Sequence, residues 1–174
     1  MTSFPRTDIP SVLFVCLGNI CRSPTAEGLL KARLDERGLT GEVEVDSAGT
    51  GAYHVGEVPD RRMTRAAAAR GYTLDGAARQ VTEEDFARFD LIVAMDESNL
   101  ADLQAIGPPP ERRRAELRLF SDFLPPGSPR DVPDPYYGGA AGFERVLDLV
   151  EEGTEAILDW VLEQRGGDRA PDGR

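Results

Sequence analysis

The chain has 174 residues, 40% of them hydrophobic and 29% charged, and its formal net charge is −11. This is the composition of a globular protein, and the acidic balance excludes a general affinity for nucleic acid, whose phosphates attract basic surfaces. The longest apolar runs are far shorter than the ~20 residues of a membrane-spanning helix. We therefore expect one domain over residues 11–165, between a flexible leader at 1–10 and a flexible tail at 166–174, with neither nucleic acid nor a membrane as partner.

Apolar, β-branched runs alternate with amphipathic segments along the chain. Strands are predicted at residues 11–16, 43–49, 91–95 and 117–120, and helices at 24–37, 60–70, 82–89, 98–106 and 143–162. Strands that alternate with helices are typical of a parallel sheet with helices on both faces. The expected fold is a doubly wound α/β domain with four parallel strands, and its ligand crevice should lie beyond the carboxyl ends of the strands.

Three residue types that often carry chemistry are scarce. Lys31 is the only lysine, His54 is the only histidine, and Cys16 and Cys21 are the only cysteines. A Walker A lysine, a two-histidine zinc site and a disulfide framework are therefore excluded, and a Ser-His-Asp hydrolase is disfavoured. This cysteine usage fits a reducing cytoplasm, and we expect no metal or cofactor.

Residues 16–24, CLGNICRSP, join the first predicted strand to the first predicted helix. Such a loop can turn its backbone N–H groups towards one anion, and the following helix adds its positive end. Gly18 and Asn19 tolerate the positive φ that this curl requires, and Arg22 carries a planar fork that matches two phosphate oxygens. The expected phosphate-binding residues are Leu17, Gly18, Asn19, Ile20, Cys21, Arg22 and Ser23.

Cys16 would lie beneath the phosphorus, where a helix N-terminus and a cation favour a nucleophilic thiolate. Ser23 could donate a hydrogen bond to that thiolate. Each residue also has a structural interpretation. A cysteine at the end of a buried strand is usually a small apolar core residue, Arg22 could belong to the surface, and Ser23 could be the N-cap of the helix.

The loop belongs to a longer pattern. VCLGNICRSPTAE (15–27), DSAGTGAYHVGEVPD (46–60), ARQVTEEDF (78–86), MDESNL (95–100) and VPDPYYGG (132–139) resemble the motifs of low molecular weight protein tyrosine phosphatases. The resemblance implies a flavodoxin-like, four-stranded parallel sheet and the hydrolysis of phosphotyrosine through a cysteinyl-phosphate. It also implies tyrosine-phosphorylated proteins as partners, and inorganic phosphate or other oxyanions as inhibitors.

A proton donor should meet the leaving oxygen. The resemblance assigns this role to Asp134, which Pro133 and Pro135 hold in a restricted backbone. An Asp-Pro turn without catalytic duty is the structural alternative. His54 is a second candidate, although a lone loop histidine is more often a solvent-exposed polar residue. Asp96, at the end of the third strand, is a further acidic candidate and is interpreted as structural or as a support for the residues of the site.

The remaining site residues are expected around this centre. Ser47 and Asn19 match a pair that holds the phosphate loop in shape in the family, and many members have histidine where Gly76 stands. Cys21 is expected near Cys16 as a partner in a reversible disulfide, or as a packing residue of the loop. The expected walls of the substrate pocket are Leu17, Tyr53, Tyr136 and Tyr137.

Three alternative functions differ from this one in the residues that they require. Arsenate reductases look similar but need further cysteines after Cys21, and none is present. Protein-arginine phosphatases carry threonine where Ile20 stands, and the apolar Ile20 favours a phenolic ester over a guanidinium. A catalytically silent module that binds phosphorylated ligands would not need a nucleophile such as Cys16.

Overall fold

Four strands and five α-helices alternate in residues 9–169, the part of the chain that the computed structural model describes. Two short 3-10 turns lie at Pro110–Arg112 and Phe120–Phe123. The elements are β1 (Ser11–Cys16), α1 (Arg22–Glu36), β2 (Glu44–Gly49), α2 (Arg61–Ala69), α3 (Asp85–Arg88), β3 (Leu91–Ala94), α4 (Glu97–Ile106), β4 (Glu116–Leu119) and α5 (Ala140–Arg169).

All strand pairs are parallel, and the strand order is β2-β1-β3-β4. The predicted doubly wound α/β fold is confirmed. The chain leaves β1 towards β2 on one side and later returns to β3 on the other, so the order reverses at β1. In such sheets the crevice outside the strand ends at this reversal is the usual ligand site. Cys16, the last residue of β1, lies at that point.

Side chains of β1 alternate between two buried layers, because successive residues of a strand point to opposite faces. Val12, Phe14 and Cys16 belong to a large apolar cluster with α1 and α5. Leu13 and Val15 belong to a second cluster with residues of α3 and α4. The strand is buried on both faces, which explains why its sequence is continuously apolar.

Two helix boundaries differ from the sequence prediction. Helix α1 begins at Arg22, so Ser23 lies inside the first turn and is not the N-cap; the capping position is Cys21, without a side-chain cap. The Ser23 hydroxyl is instead directed to the end of β1. Helix α5 continues to Arg169, into the segment assigned to a tail, while residues 1–8 of the expected leader and 170–174 of the expected tail lie outside the described residues.

Gly153 lies in the middle of α5, where glycine normally weakens a helix. Its missing side chain makes room for the ring of Phe120, since a Cβ at this position would lie 2.3 Å from Cε1 of that ring. Phe120 in turn packs against Phe14 of β1, with ring centroids 6.5 Å apart. Gly153 therefore lets α5 approach the sheet. Within the described residues no helix is long and apolar enough to cross a membrane.

We expect Gly153→Ala to destabilise the protein by about 1–3 kcal/mol through overpacking, although alanine is the better helix former. Denaturant unfolding measures the change. Gly142→Ala is the matched control in the same helix, because its new Cβ would lie 3.5 Å from Cβ of Pro135, an ordinary contact. A Gly153→Ala protein as stable as the wild type would contradict this packing role.

Candidate active site

The loop between β1 and α1 turns its carbonyl oxygens away from its own centre. Four of these carbonyls accept hydrogen bonds of 2.8–3.3 Å from surrounding backbone N–H groups. The pairs are Thr50 N to Cys16 O, Gly51 N to Leu17 O, Asp60 N to Ile20 O and Thr25 N to Cys21 O. No described residue accepts a hydrogen bond from the N–H groups of residues 17–21. These groups are therefore available to an anion at the centre of the loop.

Two features of the sequence let the loop adopt this shape. Asn19 has a φ of 59°, a left-handed conformation that asparagine tolerates better than most residues. Gly49, at the end of β2, lets the loop lie directly against the strand, because a Cβ there would be 2.6 Å from Leu17 O. The curl thus depends on one residue inside the loop and on one residue beneath it.

The side chain of Asn19 fastens the loop to the sheet. Its Nδ2 donates to Oγ of Ser23 at 2.8 Å and to Oγ of Ser47 at 2.9 Å. Its Oδ1 accepts from the backbone N–H of Arg79 at 3.0 Å. Both amide hydrogens and one lone pair of the amide oxygen are thereby used, which fixes the orientation of the amide. The structure brings Asn19 and Ser47 together, as the family pattern implied.

Cys16 lies at the base of a pocket of about 320 Å³ and is 3% exposed. Its Sγ is 3.0 Å from Oγ of Ser23. The pocket is lined by Cys16, Leu17, Gly18, Ile20, Cys21, Arg22, Tyr53, His54, Asp134, Tyr136 and Tyr137. Residues from the loops after β1, β2 and β4 thus meet at one edge of the sheet, as parallel strands require.

The side chain of Arg22 is buried, and two hydrogen bonds fix its guanidinium group. Its Nη1 donates to Oδ2 of Asp96 at 2.6 Å and to the carbonyl of Val132 at 3.0 Å. Burial disfavours the charged guanidinium, but Cys16 and the neighbouring carboxylates outweigh burial, and the pKa of Arg22 is raised above its ordinary value. A permanent cation with a fixed orientation therefore stands beside the thiol.

Asp96 is the residue that orients this guanidinium. It caps α4, with Oδ1 accepting from the backbone N–H of Asn99 at 2.7 Å, while Oδ2 binds Arg22. Both oxygens are committed to the protein, and Asp96 does not line the pocket. The interpretation of Asp96 as structural agrees with this position.

Asp134 lies at the mouth of the pocket on the proline-rich loop. This loop is tied to the end of β3 by the backbone N–H of Val132, which donates to Met95 O at 2.9 Å. The Oδ1 of Asp134 accepts from the backbone N–H of Tyr136 at 3.1 Å, and its Oδ2 is 3.7 Å from Nη2 of Arg22. Its side chain is 43% exposed, so the carboxyl group reaches both the pocket and solvent.

Aromatic rings form the upper walls of the pocket. Tyr136 and Tyr137 meet edge to face with centroids 4.9 Å apart, and Tyr137 is 94% exposed. Tyr53 stands on the opposite loop, also largely exposed, and Leu17 lies half-exposed between them. Exposed aromatic surface at a pocket mouth is suited to contact with a flat ring.

His54, the second candidate for the proton donor and by its loop position more typical of a solvent-exposed polar residue, lies in the wall of the pocket. Its ring lies 5.7 Å from the ring of Tyr136, and its Nδ1 is 3.1 Å from Oε1 of Glu57. A Cβ on Gly18 would be 2.8 Å from the His54 ring, so the imidazole lies directly on the phosphate loop. Its place beside Tyr53 in the loop after β2 was the signal available in the sequence.

Cys21 lines the same pocket as Cys16, and both thiols are free. Burial and then the negative groups of Asp60, Cys16 and Asp134 raise the pKa of the Cys21 thiol. Cys21 is therefore a protonated thiol near neutral pH, unlike the thiolate expected of a nucleophile. Among the described residues no group of three or more His, Cys, Asp or Glu side chains could hold a metal ion.

Comparison with known proteins gives a consistent result. A family model described as "Low molecular weight phosphotyrosine protein phosphatase" matches residues 11–166. The low molecular weight protein-tyrosine-phosphatase of Streptomyces coelicolor is 48% identical over 158 residues, which are 90% of this chain and 96% of that protein. The human low molecular weight phosphotyrosine protein phosphatase is 42% identical over 149 residues, 86% of this chain and 94% of that protein.

A solved structure agrees with this match. The protein tyrosine phosphatase from Entamoeba histolytica, crystallised with Hepes in its active site, superposes with a TM-score of 0.83 at 40% sequence identity. The superposition covers 90% of this chain and 99% of that one. Sequence and architecture therefore agree along almost the whole domain, and the chain belongs to the low molecular weight phosphotyrosine protein phosphatase family.

Proposed function

We propose that this protein-tyrosine phosphatase hydrolyses phosphotyrosine through a covalent intermediate on Cys16. The thiolate attacks phosphorus, the tyrosine oxygen leaves, and water then releases inorganic phosphate from the cysteinyl-phosphate. One observation carries the proposal: the Cys16 sulfur lies at the base of a loop whose N–H groups are free for an anion, beside the buried guanidinium of Arg22. Splitting one displacement into two in this way is nucleophilic catalysis.

Arg22 and the loop N–H groups supply the electrostatic part of catalysis. In phosphoryl transfer, charge spreads over three equatorial oxygens, and donors already in place stabilise it without reorganisation. Asp96 holds the planar guanidinium of Arg22 through Nη1, so the remaining N–H groups of Arg22 can bind two of these oxygens. Residues 17–23 contribute the other donors.

Asp134 is the proposed general acid, and afterwards the base for the attacking water. Its carboxyl group is held by the Tyr136 N–H at the pocket mouth, above the sulfur that forms the base. A leaving phenolate oxygen would emerge at that level. Proton transfer by a positioned side chain typically contributes ~10²–10⁴ in rate.

The pocket walls support an aromatic substrate. Tyr53, Tyr136 and Tyr137 offer ring surfaces to a phenyl group, and the buried Ile20 gives the pocket an apolar lining. A guanidinium substrate would lose hydrogen bonds to water without gaining a polar partner at Ile20. We therefore infer tyrosine-phosphorylated proteins as substrates, in preference to phosphoarginine proteins.

Two further properties follow from the same loop. Inorganic phosphate and other tetrahedral oxyanions should inhibit by occupying it, and the Hepes in the active site of the Entamoeba enzyme carries a sulfonate group. Because catalysis requires a reduced Cys16, a reducing compartment such as the cytoplasm is the proposed location.

Replacement of Cys16 by serine tests the covalent mechanism. We expect Cys16→Ser to lower kcat by about a thousandfold or more, because a hydroxyl is a far weaker nucleophile than a thiolate, while the loop still binds phosphate. Turnover of an aryl phosphate and calorimetric binding of inorganic phosphate measure the two properties. Residual activity above a few per cent of wild type would contradict the proposal.

For Asp134→Asn we expect a loss of kcat that depends on the leaving group. Phenols with a high pKa need the proton and should show losses of about 10²-fold or more, whereas phenols with a low pKa should lose little. A series of substituted aryl phosphates measures how log kcat changes with the pKa of the leaving phenol in the wild type and in Asp134→Asn. A uniform loss across the series would place Asp134 outside the proton-transfer step.

We also propose that Cys21 protects Cys16 from irreversible oxidation. Peroxide converts the Cys16 thiolate to a sulfenic acid, and the Cys21 thiol then displaces water to form a disulfide, which an added thiol reduces. The shared pocket supports this pairing. The high pKa of Cys21 keeps it protonated, so it does not compete as the nucleophile in catalysis.

Peroxide treatment followed by a thiol reductant tests this role in wild type and Cys21→Ser. Expressed against its own starting activity, wild type should recover most of its activity and Cys21→Ser only a small part, because its sulfenic acid is oxidised further. Mass spectrometry should find an intramolecular disulfide in oxidised wild type. Equal recovery of both proteins would leave Cys21 as a packing residue.

A further inference from the structure

A continuous series of hydrogen bonds joins the surface of α1 to the sulfur of Cys16. Each of its links is between 2.6 and 3.0 Å long. In order from the surface, the bonded atoms are Lys31 Nζ, Glu27 Oε2 and Oε1, Ser47 Oγ, Asn19 Nδ2, Ser23 Oγ and Cys16 Sγ. The outer end, Lys31, is the only lysine of the chain.

The donor direction of every link is determined by the chemistry of the groups. An ionised carboxylate only accepts, so Ser47 must donate its hydroxyl hydrogen to Glu27 and accept from Asn19. The Asn19 amide cannot turn over, because its Oδ1 already accepts from the backbone N–H of Arg79. Asn19 therefore donates to both serines.

The last link follows from the others. Since Ser23 accepts from Asn19, its own hydroxyl hydrogen can go to Cys16 Sγ at 3.0 Å or to the Ala48 carbonyl at 3.5 Å, and the sulfur is the nearer acceptor. A donor aimed at this sulfur stabilises a thiolate, both before attack and when it leaves the phosphoenzyme. The final hydrogen bond thus depends on Asn19 staying in place, and Asn19 is held by the Arg79 N–H and by Ser47, whose hydroxyl hydrogen Glu27 accepts.

Lys31 holds the outer oxygen of the Glu27 carboxylate, with its Nζ 2.6 Å from Oε2. The side chain of Glu27 is only 15% exposed, whereas that of Lys31, one helical turn later, is 49% exposed. Burial disfavours the ammonium of Lys31, but Glu27, and beyond it Asp75 and Asp46, outweigh burial and raise the pKa of Lys31.

Gly76, where many family members have histidine, adopts a φ of 89° and has open space at its Cβ position.

We infer that Lys31 is a positioning residue for the phosphatase reaction, which holds the Glu27 carboxylate in place so that Ser47, Asn19 and Ser23 stay aligned and Ser23 donates to the Cys16 sulfur. The inference rests on the proposed role of Cys16 as nucleophile. When Lys31 is removed, the Glu27 carboxylate loses its cation and turns to solvent, and Ser47 loses its acceptor. The Arg79 N–H still holds Oδ1 of Asn19, but Nδ2 of Asn19 loses the fixed Ser47 partner, so Asn19 and Ser23 are held less firmly and the hydrogen bond to the Cys16 sulfur weakens.

The test compares Lys31→Met, Lys31→Arg and Arg37→Met with wild type. Arg37 lies at the end of the same helix, and the ion pairs it makes among the described residues are with Glu155 and Asp159 of α5, so its loss changes the net charge equally without touching the series. Lys31→Met should lower kcat for an aryl phosphate about three- to tenfold with little change in KM, the size of one modest hydrogen bond. Lys31→Arg should restore most of kcat, and Arg37→Met should leave it unchanged.

A second measurement reads the thiol without turnover. Alkylation of Cys16 by iodoacetamide near pH 6, quantified by mass spectrometry of its peptide, reports the thiolate fraction. It should slow by a similar factor in Lys31→Met alone. If Cys16→Ser shows that turnover is not covalent, this alkylation result still decides the effect of Lys31 on the sulfur.

A double-substitution cycle separates positioning from general destabilisation. Glu27→Ala already removes the acceptor of Ser47, so Lys31→Met added to it should cause no further loss of kcat or of alkylation rate. Thermal unfolding of each variant verifies the fold. Wild-type kcat and alkylation in Lys31→Met, or additive losses in the double variant, would overturn the inference.

Discussion

The curled loop between β1 and α1 is the constraint on which the rest of the site depends. A loop can offer its N–H groups to an anion only if its carbonyl oxygens find donors elsewhere, because buried backbone groups must be paired. Here those donors come from the loop after β2, from the N-cap residue of α2 and from the first turn of α1. Asn19 then fastens the loop to Ser47. The phosphate site is therefore a product of the whole sheet edge, and not of nine consecutive residues.

Local and global electrostatics oppose each other in this protein. The chain carries 31 acidic and 20 basic residues, so its overall field repels phosphorylated ligands at long range. Arg22, however, is 3% exposed and meets its ligand where solvent and salt screen little. A buried cation costs desolvation, and Asp96 offsets that cost while fixing the guanidinium plane. Recognition is thus confined to the pocket.

Most of the fold and the centre of the site could be predicted from the sequence, because strand ends and the loop after β1 are marked by local patterns. Cys16, Arg22 and Asp134, which are far apart in the chain, meet as the parallel topology requires. Details that depend on side-chain direction could not be read in this way. Ser23 faces Cys16, which is one of the two interpretations that the sequence left open, but no sequence pattern indicates that His54 covers Gly18 or that Gly153 makes room for the Phe120 ring. Spacing along a chain does not reveal which hydrogen bond a hydroxyl makes or which ring needs room.

Two carboxylates, Asp96 and Asp134, lie near Arg22, and they differ in how tightly the protein holds them. Asp96 is fixed by the Asn99 N–H and by a 2.6 Å bond to the guanidinium, so both of its oxygens are committed to partners in the protein. Asp134 is 3.7 Å from the same guanidinium and 43% exposed, so its pairing is weak and water can reach it. A group that must give up a proton in one step and take one in the next needs this looser hold. The proline-rich loop supplies position without tight pairing, which is why the proposed acid belongs on that loop and the orienting acid belongs at the start of a helix.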